Sequence, residues 1–103
     1  MYRYEIVVPI MCADDNGNPT VDYVNTWSIE SMILELGLGY TRIFYAEGGW
    51  RSDSDTIIKE SVSVYTIATD DHDKIVKVAE YVKRIANQQC VYVCRTKADV
   101  FFI

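Results

Sequence analysis

Four residues in the middle of this 103-residue chain carry side chains suited to gripping a small ligand: Arg42, Trp50, Arg51 and Glu60. Gly48 and Gly49 stand directly before Trp50 and Arg51. Paired glycines let backbone approach a ligand closely, tryptophan offers a flat stacking surface, and arginine offers a fork for carboxylate or phosphate. No helix start follows at once, so the run is not a phosphate-binding loop. Turn geometry accounts for the glycines equally well, and Trp50 would then cover one end of the core. Alternation puts Glu60 on the same strand face as Val62 and Val64, pointing toward the helices. A carboxylate there must be paired or neutral. A hairpin centred near Arg51 supplies the partner, because Arg42 then faces Glu60, with Phe44 facing Ile58 and Tyr40 facing Val62. The pair reads first as an ion pair near the sheet edge and second as a ligand-binding pair.

No other constellation carries chemistry. His72 stands among Asp70, Asp71 and Asp73 at the start of a helical pattern, with no serine or cysteine nucleophile tied to it. It reads as a solvated first-turn residue, and no catalytic residue is expected. The three cysteines, Cys12, Cys90 and Cys94, are an odd number and make no complete disulfide framework. On one strand Cys90 and Cys94 lie about 13 Å apart, outside disulfide reach. With a lone histidine there is no zinc set either, and buried, inert thiols are expected. The Asp14–Pro19 loop is rich in oxygen donors but lacks the spaced acids and closing glutamate of a calcium loop. It reads as a plain turn. Neither a metal nor a cofactor is expected.

The elements that must position these residues follow from periodicity. Tyr2 to Ile10 alternates as a half-buried strand. Ile29, Met32, Ile33 and Leu36 recur at helical spacing in a helix starting near Asp22 or Asn25, and Gly37 stands where a left-handed cap is wanted. A strand from Tyr40 to Ala46, a turn-rich Glu47–Asp55 connection and a long strand from Ile57 to Ala68 follow. Thr69-Asp70-Asp71 caps a second helix with the stripe Ile75, Val78, Ala79, Val82, Ile85 and Ala86. Cys90 to Arg95 is the final strand. The order strand, helix, strand, strand, helix, strand predicts one α+β domain over 1–103. Its expected form is a ferredoxin-like βαββαβ sandwich, an antiparallel sheet with two helices on one face.

Such a plan leaves one sheet face open. The expected open face carries Val7, Ile43, Tyr45, Ile57, Tyr65 and Ile67, too apolar a patch to leave in water. Val7, Ile43, Tyr45, Tyr65 and Ile67 are therefore read as an interface for a homo-oligomer or a protein partner, with coverage by Val100–Ile103 as the alternative. The net charge of −5 and the absence of any basic run argue against nucleic acid. No apolar run is long enough to span a bilayer, and the opening Met-Tyr-Arg-Tyr-Glu lacks the apolar stretch of a signal peptide. A cytoplasmic location is expected.

Gly49-Trp50, then Glu60 in the next strand, then Gln88-Gln89-Cys90-Val91 before the last strand make a pattern. On it, the stretch from Tyr40 to Val93 resembles small bacterial and phage α/β proteins of unknown function. That resemblance implies the fold and no activity. The expected function is a small, non-enzymatic, oligomeric binding or regulatory protein that captures a metabolite or nucleotide-type signal at a subunit boundary. The alternatives are an acidic interaction module, such as a phage-encoded inhibitor of a host protein, and a small dimeric α/β-barrel enzyme.

Overall fold

Alternation in β1 (Tyr2–Pro9) drives Tyr4, Ile6 and Val8 to one face, where each is at most 1% exposed. The computed structural model describes residues 1–103, and these three side chains form the floor of its core. Two short strands, β2 (Met11–Ala13) and β3 (Pro19–Tyr23), pair as a separate hairpin. The hairpin closes on the expected Asp14–Pro19 turn, in which the Asp14 carboxylate accepts the N–H groups of Asn16 and Asn18. This oxygen-rich loop therefore spends its aspartate on its own backbone.

Helix α1 (Thr26–Glu35) starts at Asn25, whose side chain accepts the Ser28 N–H. It ends in a Schellman cap. Gly37 takes φ +78°, its N–H donates to Leu34, and the Leu38 N–H reaches back to Ile33. Helix α2 (His72–Ile85) repeats both devices, with Asp71 as N-cap and Asn87 at φ +53° past its end. Ile29 and Ile33 of α1 and Ile75, Val78 and Val82 of α2 bury against Tyr4, Ile6 and Val8 in one cluster of 13 buried residues.

The main sheet also contains β4 (Thr41–Arg51), β5 (Ile57–Thr69) and β6 (Val93–Lys97), antiparallel throughout in the order β4-β5-β1-β6. The chain is thus α+β, with a four-stranded antiparallel sheet and two helices. No helix is long and apolar enough to cross a membrane.

Three expectations are corrected here. First, Glu47–Arg51 is strand, not turn, with Gly48 opposite Glu60 and Trp50 opposite Ile58. The turn lies at Ser52–Thr56, where Ser52 N–H bonds to Thr56 and Asp55 takes φ +64°. Paired glycines suggested a turn, but Gly48 answers a different need: a Cβ there would meet Val62 Cγ1 at 3.3 Å. Second, the hairpin register shifts, so Arg42 lies opposite Tyr65 and not Glu60. A bulge between Ile43 and Ala46, with Tyr45 at φ +60°, gives β4 one extra residue and takes back one position of that shift.

Third, β5 presents the opposite face. Tyr65 pairs with Ile6 and Ile67 with Tyr4, so both are fully buried beneath the helices and neither can form an open-face interface. The even-numbered residues Glu60, Val62 and Val64 face away from the helices. Val7 lies on that open face half-buried, while Ile43 and Tyr45 are exposed toward the sheet edge. Val100–Ile103 is exposed and does not cover the open face as a strand. Of the thiols, Cys12 is half-buried and raised by that burial, and Cys90 is exposed rather than buried.

The left-handed backbone at Gly37 sets a cost for any side chain there. Gly37→Ala is expected to lower stability by about 1–2 kcal/mol. Urea denaturation should show this as a lower midpoint with an unchanged slope.

Candidate functional site

The densest polar cluster gathers around a residue that sequence reasoning passed over. Glu30 projects from α1 toward β4 and β5, and three donors converge on it. Its Oε1 accepts the Tyr40 hydroxyl at 3.0 Å. Its Oε2 accepts the Tyr65 hydroxyl at 2.6 Å and Arg42 Nη1 at 2.6 Å. The Glu30 side chain is 16% exposed and the Arg42 side chain 31%. Arg42 lies over the Phe44 ring, 4.8 Å from its centroid, and reaches Thr26 Oγ1.

The electrostatics follow from this arrangement. Burial first, and then the hydrogen bond to Glu30, push the Tyr65 hydroxyl far up, so it remains a donor. Tyr40 is raised first by its own bond to Glu30. The Tyr65 oxygen, ahead of Glu30, holds Arg42 more firmly protonated. Donors and acceptor are matched, and the group joins helix to sheet.

A different face holds Trp50 and Glu60. On the β4–β5 ribbon, cross-strand pairing places Trp50 opposite Ile58 and Gly48 opposite Glu60, so Trp50 and Glu60 are diagonal neighbours on one face. Ile58 and Val62 flank Glu60 along the strand and are 8% and 3% exposed. Glu60 is half-buried among them and makes neither an ion pair nor a side-chain hydrogen bond. This desolvation lifts its carboxyl to about 6. Trp50 remains 40% exposed beside it.

The structure therefore unites two of the four expected ligand residues. Arg42 is committed to Glu30 near α1. Arg51 turns to the other ribbon face and pairs with Asp55 at 3.0 Å. Among the apolar expectations Val7, Ile43, Tyr45 and Ile57 reach solvent, and Tyr65 and Ile67 do not. His72 accepts or donates at Nδ1 to the hydroxyl of buried Tyr4, 3.2 Å away, which ties the α2 start to the sheet. An apolar groove of about 240 Å³ lies between α2 and the segment leading into β6, away from Trp50 and Glu60.

No family model and no curated protein matches this chain. Among solved structures, a phage SAM lyase in complex with S-methyl-5′-thioadenosine shares the fold, with a TM-score of 0.68. The two are 13% identical, and the match covers 93% of this chain and 80% of that one. A phage protein as structural neighbour is consistent with the resemblance to phage proteins drawn from Gly49-Trp50, Glu60 and Gln88-Gln89.

Two expectations follow from this geometry. Glu30→Ala should cost about 2–3 kcal/mol, because it leaves Tyr65 and Arg42 without their acceptor, eased by the partial exposure of Arg42. Tyr65→Phe should cost about 1 kcal/mol, and the double variant should fall short of the sum of the two costs in a urea-denaturation cycle. Glu60 behaves oppositely. Its folded pKa is raised, so its favourable contribution is complete below about 4.5 and is lost as pH rises through about 6. Glu60→Gln should stabilise the protein at pH 7–8, by about 1 kcal/mol after solvent screening. That gain should vanish by pH 4.5 in thermal melts across the range.

Proposed function

We propose that this chain is a small oligomeric binding protein for a nucleoside of the S-adenosyl class, held against Trp50 and Glu60 at a boundary between copies. One observation carries the reading: a half-buried carboxylate without a partner, diagonal to an accessible tryptophan. A purine ring stacks on the indole, and a sulfonium or a ribose hydroxyl meets the carboxylate. The carboxylate that burial penalises in the free protein is relieved when a cation or donor arrives.

The fold supports this choice of ligand. The strand order β4-β5-β1-β6 with both helices packed against one face is read as a ferredoxin-like plan, elaborated by the β2–β3 hairpin. The phage SAM lyase that shares the fold was solved with S-methyl-5′-thioadenosine. The ribbon face is shallow, whereas small-ligand sites bury most of their ligand. A second copy supplies the missing wall, which is why the site is placed at a subunit boundary.

A second reading, turnover of the same ligand, is favoured by the Glu60 pKa of about 6. A carboxylate that changes charge near neutrality is suited to acid–base work.

The test is a titration of the Trp27→Phe variant, in which Trp50 alone fluoresces as tryptophan, with S-methyl-5′-thioadenosine and with S-adenosylmethionine. Saturable quenching is expected, together with a ligand-dependent rise in melting temperature that Trp50→Ala removes. Failure of both nucleosides to change fluorescence or melting sinks the proposal. Release of S-methyl-5′-thioadenosine from S-adenosylmethionine, lost in Glu60→Gln, would select turnover over simple capture.

A further inference from the structure

The groove between α2 and β6 and the segment that follows β6 are both apolar and uncovered, and they match each other. Ile75, Val76, Ala79, Cys90, Val91 and Val93 line the groove. Beyond Lys97, Phe101 is 76% exposed, Phe102 is 93% exposed and Ile103 is fully exposed. From the groove geometry we propose that it receives the Val100–Ile103 segment of a second copy of this chain.

Backbone chemistry supplies the first argument. Val7 N–H bonds to Tyr92 and Ala98 N–H to Met1, which fixes the alternation along β6. Residues 92, 94, 96 and 98 then turn their bonding groups toward β1, and Val93, Arg95 and Lys97 turn theirs outward. The outer edge of β6 is thus an unpaired template beside an apolar groove, the arrangement that accepts an added strand.

Dimensions agree. From His72 to Lys83 the α2 wall rises about 17 Å. The six residues Ala98–Ile103 extended span about 20 Å. Charge sets the direction: Asp99 precedes the apolar run, and of the polar residues that line the groove, His72, Glu80 and Lys83, the lysine stands furthest along α2, at the end that leads to Cys90. Asp99 against Lys83 brings Val100 next to Cys90 and sets Phe102, which shares its side of the extended segment, further along α2.

Reciprocal exchange doubles whatever one segment buries: in an extended segment Val100 and Phe102 share one side, and a phenylalanine alone carries about 150 Å² or more. Within its own copy the segment forms no strand, and its one backbone bond is Ala98 to Met1.

The experiment uses Val100→Cys in a Cys12→Ser, Cys94→Ser background, so that Cys90 is the remaining native thiol. Two differently tagged versions are mixed, mildly oxidised and mapped by non-reducing mass spectrometry. The expected product is a disulfide between Cys90 of one tag and the thiol introduced at position 100 of the other. Sedimentation of the unsubstituted chain should show a discrete oligomer whose mass falls in Phe101→Asp, Phe102→Asp with unchanged circular dichroism. No disulfide, a link confined to one copy, a link between two Cys90 residues, or an oligomer whose mass the double aspartate substitution leaves unchanged would each overturn the proposal. So would an unsubstituted chain that is monomeric at about 100 µM, roughly a hundredfold above the micromolar dissociation constants of modest interfaces.

Discussion

Glu30 is the residue on which the helix-to-sheet packing turns. Tyr65 lies at the centre of the core with no exposure, and a buried phenol must place its hydroxyl proton on an acceptor. Glu30 provides it from α1, and the same carboxylate gathers Tyr40 and Arg42 from the segment leading into β4 and from its start. One side chain therefore joins a helix, the edge strand and the strand beside it. The arrangement is costly to assemble, because the carboxylate largely leaves water and the guanidinium does so in part. It is correspondingly specific, since no other register of β4 on β5 would set Arg42 opposite Tyr65.

That constraint propagates outward along the hairpin. With Arg42 fixed at Tyr65, the bulge after Ile43 lets β4 continue as a ribbon to Arg51. β1 ends its pairing at Val62, so the ribbon beyond has two strands alone. Glu60 belongs to this ribbon, and its raised pKa reflects a side chain held among Ile58 and Val62 with nothing to answer its charge. The two glutamates stand in contrast. Glu30 has three donors and fixed surroundings, which suits structure. Glu60 has none and sits beside an accessible indole, which suits a ligand.

The general plan was legible in the sequence because its signals were local. Asn25, Gly37 and Asp71 mark helix ends by chemistry that acts within a few residues, and the helical stripes and the β1 alternation follow from burial of one face. The register of β4 on β5 was not legible from glycine positions. Gly48 is explained by the approach of Val62 across the strand, and Ser52–Thr56 forms a turn without any glycine. On β5, Val62 and Val64 are more apolar than Ser61 and Ser63, so alternation points them inward; pairing with β1 instead turns Ser63, Tyr65 and Ile67 beneath the helices and Glu60 away from them. Glu30 gave only a faint signal, a single acid between the buried positions Ile29 and Ile33.

The sheet order also separates two demands that would otherwise compete. β4 and β6 are the opposite edges of the sheet, so the Trp50–Glu60 ribbon and the α2–β6 groove do not share a wall. β4 manages its edge with a bulge at Phe44 and Tyr45, which breaks the template for further pairing. β6 has no bulge in its register with β1, and its outward backbone groups at Val93 and Arg95 remain usable. An edge left regular beside an apolar groove invites association, whereas a bulged edge resists it. Strand addition is thereby disfavoured at the β4 edge, and contact with the ribbon that carries Trp50 and Glu60 is left to its face.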